Sequence, residues 1–338
     1  MGNFVLGLPW IVEVAKLYRD SIVVVDPAFA DLLEATLPNT TNTIFYPRGE
    51  VSKGRRLLAR FRAYLKFLRV LRKHRSRVLI DLEGERFTGI LSLLSGCSIR
   101  IGPREKHSTY FYTSSHVLHY EQHRFNAFGE ILSKWQHINT PSNQLEYTIE
   151  PLVQKSIDRK LQWNSKNLEL AIIHTGASAE FKKWSTAKFA KLCILLSSAG
   201  YQVAWIGSGD ADLHRIHEIE SFSRGIETLN FCNQLSHPEL VYLLQKSTLF
   251  IGSDSGPMHL ASSTGIPVIG LFGPSNEKIW KPLGSNSIVL RGKSSCKIDC
   301  EALECKNSHH CLECLDPQVV LNVVLSMRAA STELVKQR

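Results

Sequence analysis

Short apolar runs alternate along the chain with longer segments in which apolar residues recur at helical spacing. The short runs predict buried strands at residues 21–26, 77–82, 170–176, 202–207, 248–253 and 267–273. The longer segments predict helices, among them 186–200, which Gly200 can end, and 237–247. Strands that alternate with helices indicate a parallel sheet covered on both faces. Ligands of such sheets bind beyond the carboxyl ends of the strands.

One stretch, residues 139–169, is polar and lacks apolar periodicity. We interpret it as a linker between two α/β domains, predicted at residues 1–150 and 165–338. A chain of 338 residues is long enough to give both domains a core.

The positive charge of the chain is concentrated in one segment. The net charge is +9, and twelve Lys or Arg but a single acid lie between Arg48 and Arg77. Six apolar residues fall among them at helical spacing: Leu57, Leu58, Phe61, Leu65, Leu68 and Leu71. The pattern predicts an amphipathic basic helix, which is either a solvated face or a surface that meets phospholipid headgroups, a phosphorylated acceptor or nucleic acid. Nucleic acid is the weakest of these, since the chain has no zinc-finger spacing, RNP-type aromatic motif or clear helix-turn-helix pattern.

The lengths of the apolar runs bear on the cellular compartment of the protein. No run reaches the roughly eighteen residues that a membrane span needs. The first residues have no basic segment before their apolar run, and Glu13 interrupts that run. We therefore do not interpret them as a signal peptide. We therefore expect a cytoplasmic protein.

Two turns in the second half combine small residues with charged ones. The first reads HTGASAEFKKW and places Lys182 after small residues that leave backbone N–H groups open to a ligand. A lysine at that place supplies a point charge for phosphate. The second reads IGSGDAD, where Gly207 and Gly209 permit close approach and Asp210 or Asp212 can bond ribose hydroxyls.

A third turn, SDSGPMH, begins where the strand at 248–253 ends. Asp254 or Ser255 can cap a helix that starts near Met258. A helix cap alone does not require Gly256 and His259 in the same turn. Three such turns at strand carboxyl ends of one domain predict a site for a nucleotide diphosphate.

The segments IGSDSGPMHLASSTGIPVIGLFGPS, HTGASAEFKKW and LLSGCSIRIGPREKHS together resemble the ADP-heptose:lipopolysaccharide heptosyltransferase family, glycosyltransferase family 9. The resemblance extends from Gly2 to about Val320. It implies a GT-B type fold, in which two Rossmann-like domains face a cleft. The first strand of the N-terminal domain is absent from the sequence as given.

The resemblance implies that residues 165–338 hold ADP-heptose as donor, with no metal required for the reaction. Lys182 neutralises the diphosphate. The remaining residues expected to contact or support the donor are Thr175, Ser178, Asp212, Asp254, Ser255, Gly256 and His259.

The resemblance further implies that residues 1–150 bind the acceptor, the inner core of lipopolysaccharide. The reaction is an inverting transfer in which a base deprotonates the acceptor hydroxyl. The basic helix suits this phosphorylated acceptor, and we expect a peripheral protein on the anionic cytoplasmic face of the inner membrane.

The sequence departs from the family pattern at the expected base. Gly2-Asn3 stand where the family has Gly-Asp, and an amide cannot accept a proton near neutral pH. Other candidate bases are Asp26, Asp81, Glu83 and Glu85.

Asn3 leaves several functions open beside the lipopolysaccharide heptosyltransferase. One is a catalytically impaired relative that binds a nucleotide sugar without transferring it, and another is a heptosyltransferase that modifies proteins. A nucleotide-sugar epimerase is a more distant alternative.

Five of the eight cysteines cluster near the C-terminus, at 296–314. In a cytoplasmic chain such a cluster favours metal over disulfides, and the predicted structural zinc or iron site is Cys300, Cys305, Cys311 and Cys314. The alternative is reduced cysteines in a small loop. Cys97, Cys193 and Cys232 lie in apolar or helical surroundings and are predicted to be core residues.

Overall fold

A computed structural model describes residues 1–37, 42–47, 57–104, 110–119, 121–161, 168–292 and 310–336. The chain divides into two compact units. The N-terminal unit is Leu6–Ser142, and the C-terminal unit is Asn143–Arg338 together with Met1–Val5.

The N-terminal unit contains two small parallel sheets. Its strands are β1 (Ile22–Val25), β2 (Asn42–Phe45), β3 (Val78–Ile80), β4 (Ile99–Arg104) and β5 (Ser114–Val117). Its helices are α1 (Gly2–Leu17, whose first residues belong to the other unit), α2 (Ala30–Glu34), α3 (Leu57–Lys73), α4 (Arg86–Leu94) and α5 (Arg124–Ser133). Within the described residues β1 pairs only with β2, and β3 pairs only with β4.

α3 is the predicted basic helix, and its inner face is apolar. Ala63, Phe67 and Leu68 are buried, and the two larger side chains join Ile44 and Leu91 in a core cluster. Of the apolar residues whose spacing predicted this helix, Leu68 is buried but Leu58, Phe61 and Leu65 are exposed, so the buried face differs from the predicted one.

The C-terminal unit is built on one six-stranded parallel sheet with the order β11-β10-β9-β6-β7-β8. Its strands are β6 (Glu169–His174), β7 (Tyr201–Ile206), β8 (Leu229–Asn230), β9 (Leu249–Ser253), β10 (Val268–Phe272) and β11 (Ser287–Arg291). Its helices are α6 (Pro151–Leu161), α7 (Thr186–Ser198), α8 (Asp210–Phe222), α9 (His237–Lys246), α10 (Gly256–Ser263), α11 (Glu277–Trp280), α12 (His310–Glu313) and α13 (Pro317–Lys336).

The central strands of this sheet are covered on both faces. Every residue of β7, β9 and β10 is buried, so neither face of these strands meets water. Trp184, Phe189 and Trp205 are fully buried in the main core cluster of the unit. The apolar runs at 202–207, 248–253 and 267–273 are therefore confirmed as buried parallel strands, whereas those at 21–26 and 77–82 form parallel strands that are only partly buried. Gly200 follows α7 at a φ of +91°.

The interpretation of 139–169 as a linker is wrong for residues 143–161, which belong to the C-terminal unit. Leu145 N donates to Ser263 O at 2.9 Å, and α6 packs against α9. Tyr242 Oη donates to Asp158 Oδ1 at 3.1 Å across that contact. The helix is largely polar with Ile157 as its buried residue, and the prediction missed the short apolar stripe of Val153, Ile157 and Leu161 at four-residue spacing. The boundary between units consequently falls after Ser142, before the predicted limit at 150.

Three cysteines lie in the core as predicted: Cys97, Cys193 and Cys232 are buried. Among the described helices, none has both the length and the hydropathy to cross a bilayer.

Candidate functional site

The predicted turns meet at one edge of the six-stranded sheet. His174 at the end of β6 is in register with Gly252 of β9 and with Ile206 of β7. The segments that follow these three parallel strands therefore leave the sheet side by side. They are the loop at residues 175–185, named the donor loop for the ligand that the resemblance implies, the turn at 207–209, and the turn Asp254-Ser255 that leads into α10.

A lysine–carboxylate pair joins two of these segments. Lys182 Nζ donates to Asp254 Oδ2 at 2.6 Å, and the two side chains are 22% and 6% exposed. His259 Nε2 lies 4.0 Å from the other oxygen, Oδ1, of the same carboxylate. The Asp254 carboxylate is thus held between an ammonium group and an imidazole at the first turn of α10.

Ser255 occupies the N-cap position of α10, but its side chain makes no capping bond. Its Oγ lies 3.2 Å from His174 Nδ1. The capping role weighed for the Ser255 hydroxyl is therefore wrong, since the hydroxyl turns toward the end of β6. Ser255 thereby ties the start of α10 to the neighbouring strand.

Asp212 is enclosed by the two glycine turns. Its Oδ2 accepts from Ser208 N at 3.0 Å and lies 3.8 Å from His174 Nε2. A Cβ on Gly207 would lie 2.8 Å from Asp212 Cβ, and one on Gly176 would overlap the Asp212 carboxylate. The glycines are needed for this close approach. The Asp212 carboxylate therefore contacts groups of the protein itself. That it also bonds the ribose hydroxyls of a nucleotide remains a prediction.

We expect the stability contributed by Asp212 to fall at acidic pH. Burial opposes ionisation, but the His174 side chain, the Ser208 N–H and the Lys183 charge outweigh it and hold the pKa of Asp212 below its ordinary value. A depressed pKa stabilises the fold above the unfolded value of about 3.9, and that gain disappears as pH falls through the folded-state pKa. The difference in free energy of unfolding between wild type and Asp212→Asn should therefore narrow below about pH 4. Equal differences at pH 3 and pH 7 in denaturant titrations would contradict this assignment.

Thr175 and Ser178 both lie in the donor loop but differ in exposure. Thr175 is fully buried, and no described group bonds its Oγ1. Ser178 is exposed. The structure therefore brings Thr175 against the sheet edge and leaves Ser178 at the surface of the loop.

The first residues of the chain lie beside α10. A Cβ on Gly256 would lie 2.5 Å from Met1 Cβ, and one on Gly2 would lie 3.4 Å from His259 Cδ2. Asn3 follows directly in the first turn of α1 and is exposed. The expected base position is thus next to the contact between α1 and the Asp254 turn.

The alternative bases have different surroundings. Asp81 is buried and accepts from Tyr112 Oη at 2.7 Å and from the N–H groups of Glu83 and Gly84, each at 3.0 Å. These three hydrogen bonds hold the Asp81 carboxylate in the turn after β3. Asp26 Oδ1 accepts from Ala28 N and caps a short 3₁₀ helix, whereas Glu83 and Glu85 are exposed.

Arg215 supports the donor loop and was not found from the sequence. Its Nε donates to Thr175 O at 3.2 Å, and its NH2 nitrogen donates to Trp184 O. One guanidinium therefore ties both ends of the loop that carries Lys182. The HTGASAEFKKW motif gave no signal for it, because Arg215 lies on α8, a helix of mixed polarity.

The predicted metal cluster lies mostly outside the described residues, which include Cys311 and Cys314 but neither Cys300 nor Cys305. In the described part of the chain no group of three or more His, Cys, Asp or Glu could hold a metal.

Comparison with known proteins identifies the family. The model of glycosyltransferase family 9 (heptosyltransferase) matches residues 64–310. The chain belongs to glycosyltransferase family 9. It is 25% identical over 292 residues to lipopolysaccharide heptosyltransferase 3 of Escherichia coli, an alignment that covers 85% of both proteins.

Two solved structures have the same fold as this glycosyltransferase. E. coli ADP-heptose lipopolysaccharide heptosyltransferase II matches with a TM-score of 0.74 at 19% identity, covering 98% of this chain and 96% of the other. E. coli heptosyltransferase WaaC with ADP-2-deoxy-2-fluoro heptose matches with a TM-score of 0.71 at 17% identity, covering 96% of both. The predicted GT-B type fold and glycosyltransferase class are confirmed.

Proposed function

We propose that this glycosyltransferase moves heptose from ADP-heptose to the inner core of lipopolysaccharide. The observation that carries the proposal is the Lys182–Asp254 pair at the N-terminus of α10, in a chain of this family. The E. coli relative is named a lipopolysaccharide heptosyltransferase, which favours lipopolysaccharide over a protein as acceptor. The structure of WaaC contains an analogue of ADP-heptose, which favours ADP-heptose as donor.

In this proposal the C-terminal unit binds the donor. Lys182 exchanges part of its contact with Asp254 for the diphosphate, and backbone N–H groups at the start of α10 face the same phosphates. Asp254 accepts hydrogen bonds from the heptose hydroxyls, Thr175 and Ser178 line the pocket, and His259 supports the turn.

The reaction proceeds by displacement at the anomeric carbon. An acceptor oxygen forms the new bond, the bond from that carbon to the ADP oxygen breaks, and the configuration inverts. The electron pair leaves with ADP, and a base takes the acceptor proton. Lys182 and the α10 N-terminus stabilise the negative charge that grows on the leaving group.

Donor choice tests this proposal against the epimerase alternative. The full-length protein is incubated with heptose-deficient lipopolysaccharide and either ADP-heptose or UDP-N-acetylglucosamine, and sugar incorporation is measured. We expect incorporation from ADP-heptose alone. ADP-heptose binding without incorporation would support the impaired relative. Conversion of the UDP-sugar to its epimer would support the epimerase.

The proposed place of action is the cytoplasmic face of the inner membrane, and α3 is the proposed contact with anionic lipid. Leu58 and Phe61 are 61% and 59% exposed on its outer face, and Arg62, Lys66 and Arg69 are exposed among them. α3 contains no acidic residue. Apolar side chains interleaved with cations suit an interface of headgroups and acyl chains.

Phe61→Ser should lower binding to anionic vesicles about tenfold, because the ring loses its burial in the lipid interface. The measurement is cosedimentation with phosphatidylcholine vesicles that contain or lack phosphatidylglycerol. Phe45→Ser is the matched control, since Phe45 is 49% exposed in the same unit but lies on β2. Equal losses for both variants, or equal wild-type binding to neutral vesicles, would contradict the assignment to α3.

A structural zinc or iron ion at Cys300, Cys305, Cys311 and Cys314 stays a prediction. Two cysteines spaced as in Cys311 and Cys314 fit metal binding. Elemental analysis of the purified protein tests it.

A further inference from the structure

The helix that follows the donor loop lacks a local cap. Ser185 is the N-cap residue of α7, and its side chain makes no capping bond. The third helical position is Lys188, where a glutamate or glutamine would complete a capping box. Such a box does form at α9 of the same unit, between Ser236 and Glu239.

A segment far along the chain supplies the missing acceptor. Ser185 N donates to Glu313 Oε1 at 2.9 Å, although 128 positions separate the two residues. Lys188 Nζ donates to the carbonyl oxygens of Glu313 and Leu315, the second at 2.9 Å. Glu313 therefore makes one of the two bonds of a capping box, the bond to the N–H of the N-cap residue, and Lys188 fastens residues 310–315 to the same turn.

The same segment packs beside the lysine that faces the donor. Leu312 and Leu315 are buried in the core cluster that contains Trp184. A Cβ on Gly273 would lie 3.1 Å from Phe181 O and 3.6 Å from Leu312 Cβ, so these groups converge on one small space. Lys182 follows Phe181 directly, and movement of residues 310–315 would be transmitted to it.

We propose that Glu313 is a positioning residue for donor binding. Its carboxylate holds Ser185 and thereby the end of the donor loop, which sets the Lys182 ammonium group against Asp254. Glu313 accepts a hydrogen bond from the Ser185 N–H and is not proposed to contact any reacting atom. The inference rests on the proposed function, because Lys182 is assigned to the donor diphosphate there.

The test measures the binding of ADP to the full-length protein by calorimetry. Glu313→Ala should raise the Kd for ADP about fivefold, through the loss of one charged cap. The KM for ADP-heptose should rise by the same factor, with the KM for the acceptor unchanged. Glu313→Gln retains an oxygen acceptor and should restore ADP affinity to within about twofold of wild type.

Two comparisons separate positioning from general stability. Glu239→Ala removes the capping glutamate of α9 and should lower the melting temperature without changing ADP affinity. In a Lys182→Ala background, Glu313→Ala should cause no further loss of ADP affinity, because its effect passes through Lys182.

The proposal is overturned if Glu313→Ala binds ADP as tightly as wild type while its melting temperature falls as in Glu239→Ala. It is also overturned if Glu313→Ala weakens binding equally with and without Lys182. If the wild-type protein does not bind ADP, the proposed function is wrong, and this inference is wrong with it. If Glu313→Ala does not fold, Ser185→Pro replaces it with the same expectations, since Ser185 has a φ of −64° that proline adopts.

Discussion

Replacing Lys182 with alanine is expected to lower kcat/KM for ADP-heptose by about 10²- to 10³-fold. The ammonium group lies 2.6 Å from Asp254 Oδ2, which holds it at the site where the diphosphate is proposed to bind. As ADP leaves, negative charge accumulates on its terminal phosphate. A cation that is positioned beforehand stabilises this charge without reorganisation. Steady-state transfer at saturating acceptor measures the effect.

Lys183→Ala is the matched control, because the neighbouring lysine has the same chemistry and a different partner. Lys183 Nζ donates to Glu180 Oε2 at 2.7 Å, and Glu180 is largely exposed. This variant should retain kcat/KM to within about threefold, as loss of a surface pair costs little. Equal losses for Lys182→Ala and Lys183→Ala would show that the effect is not specific to the Lys182–Asp254 pair and would contradict the role given to Lys182. No loss in Lys182→Ala would remove Lys182 from the mechanism.

Replacing Asn3 with aspartate is expected to raise kcat by about 10²-fold, the lower end of what a positioned base contributes. The first turn of α1 lies against His259 and Gly256, so a carboxylate at position 3 is placed beside the proposed donor site. α1 has no acid in its first turn, and the new charge is favourable there, so a loss of stability should not mask the gain. Single-turnover transfer at several pH values measures the change, and the rate should rise with pH as the new carboxyl ionises.

Asn3→Ala tests whether the amide side chain of Asn3 itself takes part in the reaction. If the amide plays no part in proton transfer, Asn3→Ala should keep kcat to within about twofold of wild type. A drop of tenfold or more would mean that the amide orients a substrate. If Asn3→Asp is no faster than wild type, the base lies elsewhere, and the exposed Glu83 and Glu85 are then the next positions to change.

The sequence predicts the C-terminal unit well because its signals are local. Continuous apolar runs mark buried parallel strands, and the polar turns after them must leave the sheet at one edge. That geometry places Lys182 and Asp254 at the same edge of the sheet, but the ion pair between them is seen only in the structure. A contact between two predicted turns is accessible from sequence, since strand order brings their residues together.

Other parts of the site depend on residues that are distant along the chain and carry no motif. Arg215 lies on a helix without a marked apolar stripe, and its role depends on two carbonyl groups of the donor loop. Glu313 accepts from the Ser185 N–H at the start of α7 and lies between Cys311 and Cys314, where the sequence indicated metal chemistry alone. α6 was missed because its apolar stripe is only three residues long in a polar segment, and its packing against α9 shows only in the fold.

The most direct test of the proposed function is a single turnover with enzyme in excess over ADP-heptose and heptose-deficient lipopolysaccharide as acceptor. ADP and glycosylated lipopolysaccharide are quantified in the same quenched samples. The account predicts that both appear together in equal amounts, with the anomeric configuration inverted. Release of ADP without a glycosylated acceptor, or bound ADP-heptose that remains intact, would contradict it.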